Sequence, residues 1–302
     1  MRPLLRNGLA LALGAVLLGG CSSGGSPDGG RASTAGSPSA HTSHSTREAA
    51  PAPPARPWNV HPASVAALGD SITRGFDACK PLSDCPEVSW ATGSRTAVGS
   101  ITSRLTAARS WNVADTGARV ADLAAQAREA AAYKPAMVTI LIGANDACTS
   151  GPATMTTVAH FRTRFDAALA YLHKTLPTTQ ILVASIPDLE RLWSIGRSNM
   201  LGKQVWKLGL CPSMLGDADS LSAAAKARRA AVRDRVVAYN QVLGQVCGRY
   251  ARCRYDGGAV FGYRFGTDEL STWDWFHPNA KGQEQLAALL AAVAFRPQEK
   301  TG

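Results

Sequence analysis

From Ser64 to Val293 the sequence alternates short apolar runs with longer amphipathic stretches, and this rhythm limits the fold more than any other feature. Val65–Leu68, Asn112–Asp115, Met137–Ile142 and Gln180–Ser185 read as buried strands. Apolar residues recur at helical spacing over Val98–Ala108, Val120–Tyr133 and Val158–Leu176, then in a long stretch from about Leu221 to Tyr250 and a closing one, Gly282–Val293. Strands alternating with helices are joined by right-handed crossovers and build a parallel sheet with helices on both faces. Asp188–Ser220 departs from the rhythm, with Trp193, Met200, Trp206, Met214 and several glycines. It reads as an irregular excursion over the top of the sheet, either a substrate-covering flap or a packed connection.

The N-terminus belongs to a different class. Arg2 and Arg6 precede the apolar run Leu9–Leu18, which is shorter than the ~20 residues a membrane span needs and reads as an export signal. The run ends in Leu18-Gly19-Gly20-Cys21, which resembles the lipobox of bacterial lipoproteins. That resemblance implies a diacylated Cys21 at the mature N-terminus and a lipid anchor in the membrane; a secretory signal with an incidental cysteine is the other reading. Residues from Ser22 to about Pro57 are rich in Gly, Ser, Ala, Thr and Pro and have little to bury, so a disordered tether is expected over 22–62, ahead of a domain at 63–296 and a tail at 297–302. His41 and His44 lie in this tether as solvated polar residues.

Setting Cys21 aside from the seven cysteines leaves Cys79, Cys85, Cys148, Cys211, Cys247 and Cys253. An even set in an exported chain reads as disulfides, and proximity favours Cys79–Cys85 and Cys247–Cys253 as local loops, leaving Cys148 for Cys211. No Cys-x-x-Cys or clustered His-Cys spacing is present, so no metal and no cofactor is expected. The net charge of +10 becomes +8 once Arg2 and Arg6 leave with the signal. A basic excess suits anionic surfaces. The basic residues are scattered, however, and the one dense cluster, Lys226 to Arg235, has the spacing of a solvated helix face, so nucleic acid is not an expected partner.

The chemistry concentrates at strand ends. In an open parallel sheet, ligands sit beyond the carboxyl ends of the strands. Ser71, Gly117 and Asn145 each follow a predicted strand closely, and Asp274 and His277 lie three residues apart before the closing helix. Singly, each has a structural reading: Asp70 capping a helix, Gly117 supplying a positive φ, Asn145 an N-cap, Asp274 a cap beside a surface histidine. Together, Gly69-Asp70-Ser71, Gly117, Gly143-Ala144-Asn145-Asp146 and Asp274-Trp275-Phe276-His277, in this order, resemble the SGNH, or GDSL-type, hydrolase superfamily.

The resemblance implies a flavodoxin-like three-layer α/β/α domain that hydrolyses esters. It implies Ser71 as nucleophile, His277 as base, Asp274 as its orienting carboxylate, and an oxyanion hole from the Ser71 and Gly117 backbone N–H groups and the Asn145 amide. The expected substrate is an ester of a lipid or of an acylated carbohydrate, and the expected assembly is a monomer. Two other outcomes use the same residues differently: transfer of the acyl group to an envelope sugar hydroxyl, with carbohydrate deacetylation as its hydrolytic counterpart, or a non-catalytic envelope-binding lipoprotein. Asp70 and Asp146 are expected to hold the loops bearing Ser71 and Asn145. At least two of Trp273, Trp275 and Phe276 are read as packing, with shielding of the histidine or lining of an acyl pocket as the other role; Arg74 and Arg119 are read as surface ion-pairing residues, with contact to an anionic substrate as the other reading. Thr73 occupies the last position of the would-be Gly-x-Ser-x-Gly elbow, which argues against an α/β-hydrolase fold.

Overall fold

The computed structural model describes residues 57–296. The leader, Cys21, the tether up to Arg56 and the C-terminal tail lie outside the described residues.

Five strands, β1 (Ser64–Gly69), β2 (Arg109–Asn112), β3 (Met137–Leu141), β4 (Gln180–Val183) and β5 (Cys253–Tyr255), pair in parallel in the order β2-β1-β3-β4-β5. The two central strands, β1 and β3, are buried along their whole length, which is why they read as continuous apolar runs; Val65 sits beside Met137 and Gly69 beside Leu141. At the edge, β2 starts three residues before the predicted run. The apolar pair Val113 and Ala114 is buried just past the ladder, so apolarity marked the turn that follows β2 and missed the half-exposed strand itself. The other edge, β5, is three half-buried residues with Arg254 at its centre, too short and too polar to leave a pattern.

The helices follow in chain order. A single turn, α1 (Ser71–Arg74), leaves β1, and another, α2 (Ile101–Arg104), is all that forms of the Val98–Ala108 stretch. Positive φ values at Gly99 and Thr106 bracket α2 and end it. Next come α3 (Leu123–Ala132), the single turn α4 (Ala144–Ala147) and α5 (Val158–Thr175). Thr157 caps α5, and Phe161, Phe165, Ala168, Leu169 and Leu172 form its buried stripe. Later elements are α6 (Leu189–Gly196), α7 (Met200–Trp206), α8 (Pro212–Leu215), α9 (Ala223–Cys247), α10 (Ala259–Gly262) and α11 (Ala280–Ala294). On one face α5 packs between α3 and α9, and on the other α2 packs with α11, completing three layers.

The Asp188–Ser220 segment is helical where an irregular excursion was expected. Asp188 caps α6 and Asn199 caps α7, and Trp193, Trp206 and Met214 are buried. Helices this short, broken by glycines, never accumulate the run of turns that a periodicity reading needs. Disulfides join Cys79 to Cys85, Cys148 to Cys211 and Cys247 to Cys253, which suits an oxidising compartment. No helix among the described residues is long and apolar enough to cross a membrane. Trp58, which composition assigns to the tether, docks on the domain: its indole donates to the Ala294 carbonyl (2.9 Å) and the Arg254 guanidinium lies 4.2 Å from its ring.

Candidate active site

The strand order places a switch point between β1 and β3, where a doubly wound sheet opens a crevice at its carboxyl edge. The chain needs two sharp turns to deliver side chains there. Gly69 has φ 151°, and a Cβ on it would lie 2.4 Å from the Leu141 carbonyl oxygen. Gly143 has φ 123°, and a Cβ there would lie 2.6 Å from Ile186 Cδ1 and 3.0 Å from the Phe161 ring. Only glycine satisfies both the backbone angle and the contact. The Gln126 amide, on α3, brackets Gly69 with two hydrogen bonds of 2.8 Å, accepting from its N–H and donating to its carbonyl. Asp70 then caps α1 by accepting from the Ile72 N–H at 3.0 Å, and Ser71 opens the helix.

Ser71 Oγ lies 3.0 Å from His277 Nε2 across 206 residues of sequence. The other ring nitrogen, Nδ1, lies 2.5 Å from Asp274 Oδ2. Asp274 Oδ1 accepts from the Phe276 and His277 N–H groups, both at 2.9 Å, so the carboxylate folds its own turn around itself. That turn is held from outside by the Trp206 indole, which donates to the Asp274 carbonyl (2.6 Å), and by the Ser271 N–H, which donates to the His277 carbonyl (2.8 Å). The Phe76 ring meets the imidazole edge-on at 5.2 Å between centroids. A hydroxyl bonded to an imidazole that is itself bonded to a carboxylate can lose its proton as it attacks a carbonyl.

Opposite the serine, Gly117 has φ 89° and a Cβ there would meet only open space. Asn145 Nδ2 donates one hydrogen to the Ala118 carbonyl at 3.0 Å, which fixes the amide and leaves its second N–H to point elsewhere. The N–H groups of Ser71 and Gly117 have no acceptor among the described residues. Asp146 serves a neighbour of the loop it was assigned to: its Oδ2 accepts from Val120 N–H (2.8 Å), tying the Gly117 loop to the Asn145 loop.

The sequence profile of the GDSL-like lipase/acylhydrolase family matches residues 65–290. The chain belongs to this family. It is a carboxylic ester hydrolase of the esterase and lipase type. No curated protein sequence matches it. An alpha/beta hydrolase enzyme from the metagenome of Lake Arreo, Spain, is similar in structure at 19% identity and a TM-score of 0.50, over 77% of this chain and 94% of that one. Phospholipase A1 from Streptomyces albidoflavus NA297 follows at 16% identity and 0.48, over 77% and 99%. Extracellular lipase from Streptomyces rimosus follows at 18% and 0.47, over 76% and 99%. At these identities the likeness is one of fold.

Within this GDSL-like domain the charges around the histidine are buried and unequal. Burial pulls the His277 imidazole down, but the Asp274 carboxylate, with Asp77 and Asp70 behind it, outweighs that and raises its pKa above 6.5. Burial likewise pushes Asp274 up, and the His277 charge with the two backbone N–H groups brings it below the ordinary carboxylate value. Asp70 is pushed up to about 7 by burial, and its Oδ2 has no partner among the described residues. Asp77 is pushed up to about 6 by burial and by Asp274.

A cavity of about 260 Å³ opens beside the serine, lined by Ser71, Gly117, Asn145 and His277 together with Leu189, Leu192 and Leu210. The Asp188–Ser220 segment thus supplies one wall of the site. Phe276 lines the cavity, Trp275 packs over Gly202, and Trp273 is half-exposed on a separate cleft. Arg74 pairs with Asp84 at 3.0 Å, and neither it nor Arg119 lines the cavity. Gln126, Trp206 and Asp77 were missed by sequence reasoning; none sits in a motif, and each acts through a contact made across many residues of chain.

Proposed function

We propose that the domain cleaves short-chain carboxylic esters through an acyl-enzyme on Ser71. The observation that carries this reading is the continuous chain of hydrogen bonds from Ser71 Oγ through the His277 ring to Asp274, 3.0 and 2.5 Å. As Ser71 Oγ bonds the ester carbonyl carbon, its proton passes to His277 Nε2, and Asp274 stays ionised while it stabilises the imidazolium. The carbonyl oxygen becomes an oxyanion received by the N–H groups of Ser71, Gly117 and Asn145. Collapse breaks the ester C–O bond, and the leaving alkoxide takes the proton from His277. Water then repeats the sequence on the acyl-serine, releasing the acid.

The size of the cavity supports the short acyl chain. About 260 Å³ lies below the ~300–1,000 Å³ of sites that enclose drug-sized ligands. Each buried CH₂ contributes about 0.8 kcal/mol, a factor of ~4, so kcat/KM should climb over the first few carbons and fall once the cavity is full. The test is a rate profile of the purified protein and of Ser71→Ala over p-nitrophenyl esters from acetyl to palmitoyl. Equal rates for the two proteins would sink the assignment of Ser71, and a maximum at palmitoyl would sink the short-chain reading. We place the enzyme outside the cytoplasm on the strength of its three disulfides, with the leader and Cys21 supplying export and a lipid anchor.

A further inference from the structure

Behind the histidine, on the side away from the cavity, stands a carboxyl group that the reaction outlined above does not use. Asp77 is 2% exposed and adopts φ 56°, a left-handed conformation that costs most residues energy and that aspartate tolerates better than most. Its loop is held at every point. The Asp77 N–H donates to the Ser83 carbonyl (3.0 Å), the Leu82 N–H donates to Asp77 Oδ1, and Cys79 is bonded to Cys85. Ser271 Oγ donates to the Asp77 carbonyl at 2.7 Å, and Ser271 belongs to the same turn as Asp274 and His277. A carboxylate oxygen of Asp77, one of Asp274 and a ring nitrogen of His277 all lie within 4.8 Å of one another.

Two buried carboxyl groups this close share a proton at low pH and repel at high pH. A second cleft, about 370 Å³, reaches Asp77 from the rear, between Ser271, Trp273 and Lys281. Lys281 is turned to Asp268 at 3.0 Å and leaves the acid pair unneutralised. The remaining titratable group acting on the pair is Asp70, the N-cap of α1, whose charge acts on His277.

We propose that Asp77 is a positioning residue that sets the protonation of the Asp274–His277 pair, acting through Asp274 without touching the ester. The proposal rests on His277 being the base. With Asp77 protonated, its proton bridges to Asp274 and weakens the hold of Asp274 on the imidazole. Loss of that proton to solvent through the rear cleft adds a second negative charge behind the ring and strengthens the imidazole as a base.

The test is Asp77→Asn, which keeps an oxygen for the Leu82 N–H and removes the charge. A charge at 4–6 Å moves a pKa by about one unit or more, so the acid limb of the kcat/KM profile should move about one unit to lower pH. Titration of the His277 ring by NMR in a Ser71→Ala background, with and without Asp77→Asn, should show the same displacement without reference to activity. Superimposed limbs and superimposed ring titrations, with or without a change in thermal midpoint, would make Asp77 merely structural and overturn the proposal. An active Ser71→Ala protein would instead overturn the reading of the site on which it rests.

Discussion

Removing the Cys148–Cys211 bridge by Cys148→Ala with Cys211→Ala should cost the folded state more than removing either of the other two bridges. The bridge closes 63 residues of chain, whereas Cys79–Cys85 and Cys247–Cys253 each close 6. Loop-closure entropy grows with the logarithm of that length, giving on the order of 4 kcal/mol for the long loop and about 2 kcal/mol for a short one. In a domain of this size each kcal/mol moves the thermal midpoint by ~2–4 °C, so the long-loop variant should melt ~8–16 °C lower and a Cys79→Ala, Cys85→Ala variant ~4–8 °C lower. Activity should respond less. Cys148 ends α4, which carries Asn145, yet α4 stays fastened to α8 by Ser213 Oγ donating to the Ala147 carbonyl (2.7 Å) and Ser213 N–H donating to the Thr149 carbonyl (2.9 Å). At 25 °C kcat should therefore stay within about tenfold of the parent, a small part of the ~100–1000-fold that loss of an oxyanion donor costs. Calorimetric melts of the two variants decide the matter. If both lose the same midpoint, the ledger built on loop length is wrong; if kcat collapses with the bridge, the Ser213 bonds do not hold Asn145.

Two further outcomes follow from the site. Asn145→Ala should lower kcat ~100–1000-fold, about 2.7–4 kcal/mol, and leave KM near the parent value, because in the proposed reaction its second N–H meets charge that exists only in the transition state; an equal rise in KM would show that it binds the ground state. Thermal stability should fall as pH rises from about 4 to 8. The folded protein keeps protons on Asp70 up to about 7 and on Asp77 up to about 6, where the unfolded chain has already released them, and His277, also raised, begins to lose its contribution only as the pH passes 6.5. Asp274, being lowered, opposes this only below the ordinary carboxylate range. Asp70→Asn should flatten the slope, removing on the order of 4 kcal/mol at most, and a parent midpoint that is flat from pH 4 to 8 would refute the assignment.

Much of this molecule was legible because its chemistry coincides with its punctuation. β1, β3 and β4 are buried strands of apolar residues, and Ser71 and Asn145 follow β1 and β3 at once, so finding the strands found two of the candidate site residues. Asp274 and His277 were legible for a different reason, since three residues of separation let one turn hold both. The Asp188–Ser220 segment was legible as a possible cover, but which of its residues line the cavity was not. Leu189, Leu192 and Leu210 are ordinary leucines, and what makes them a wall is the docking of α6 and of the residues after α7, fixed by contacts such as that of the Trp206 indole with the Asp274 carbonyl across 68 residues. Asp77 stayed hidden likewise: six residues past the serine it looks like loop polarity, and its place behind the histidine depends on Ser271, 194 residues away.

The tight turn at Gly143 ties the interior of the protein to its candidate site. Phe161, the first residue of the core stripe of α5, and Ile186, just past β4, lie against Gly143, two residues before Asn145. A bulkier side chain at either position would press on that turn. If Asn145 acts as proposed, turnover depends on how well this part of the core is packed, and substitutions at Phe161 or Ile186 should lower it while the protein remains folded.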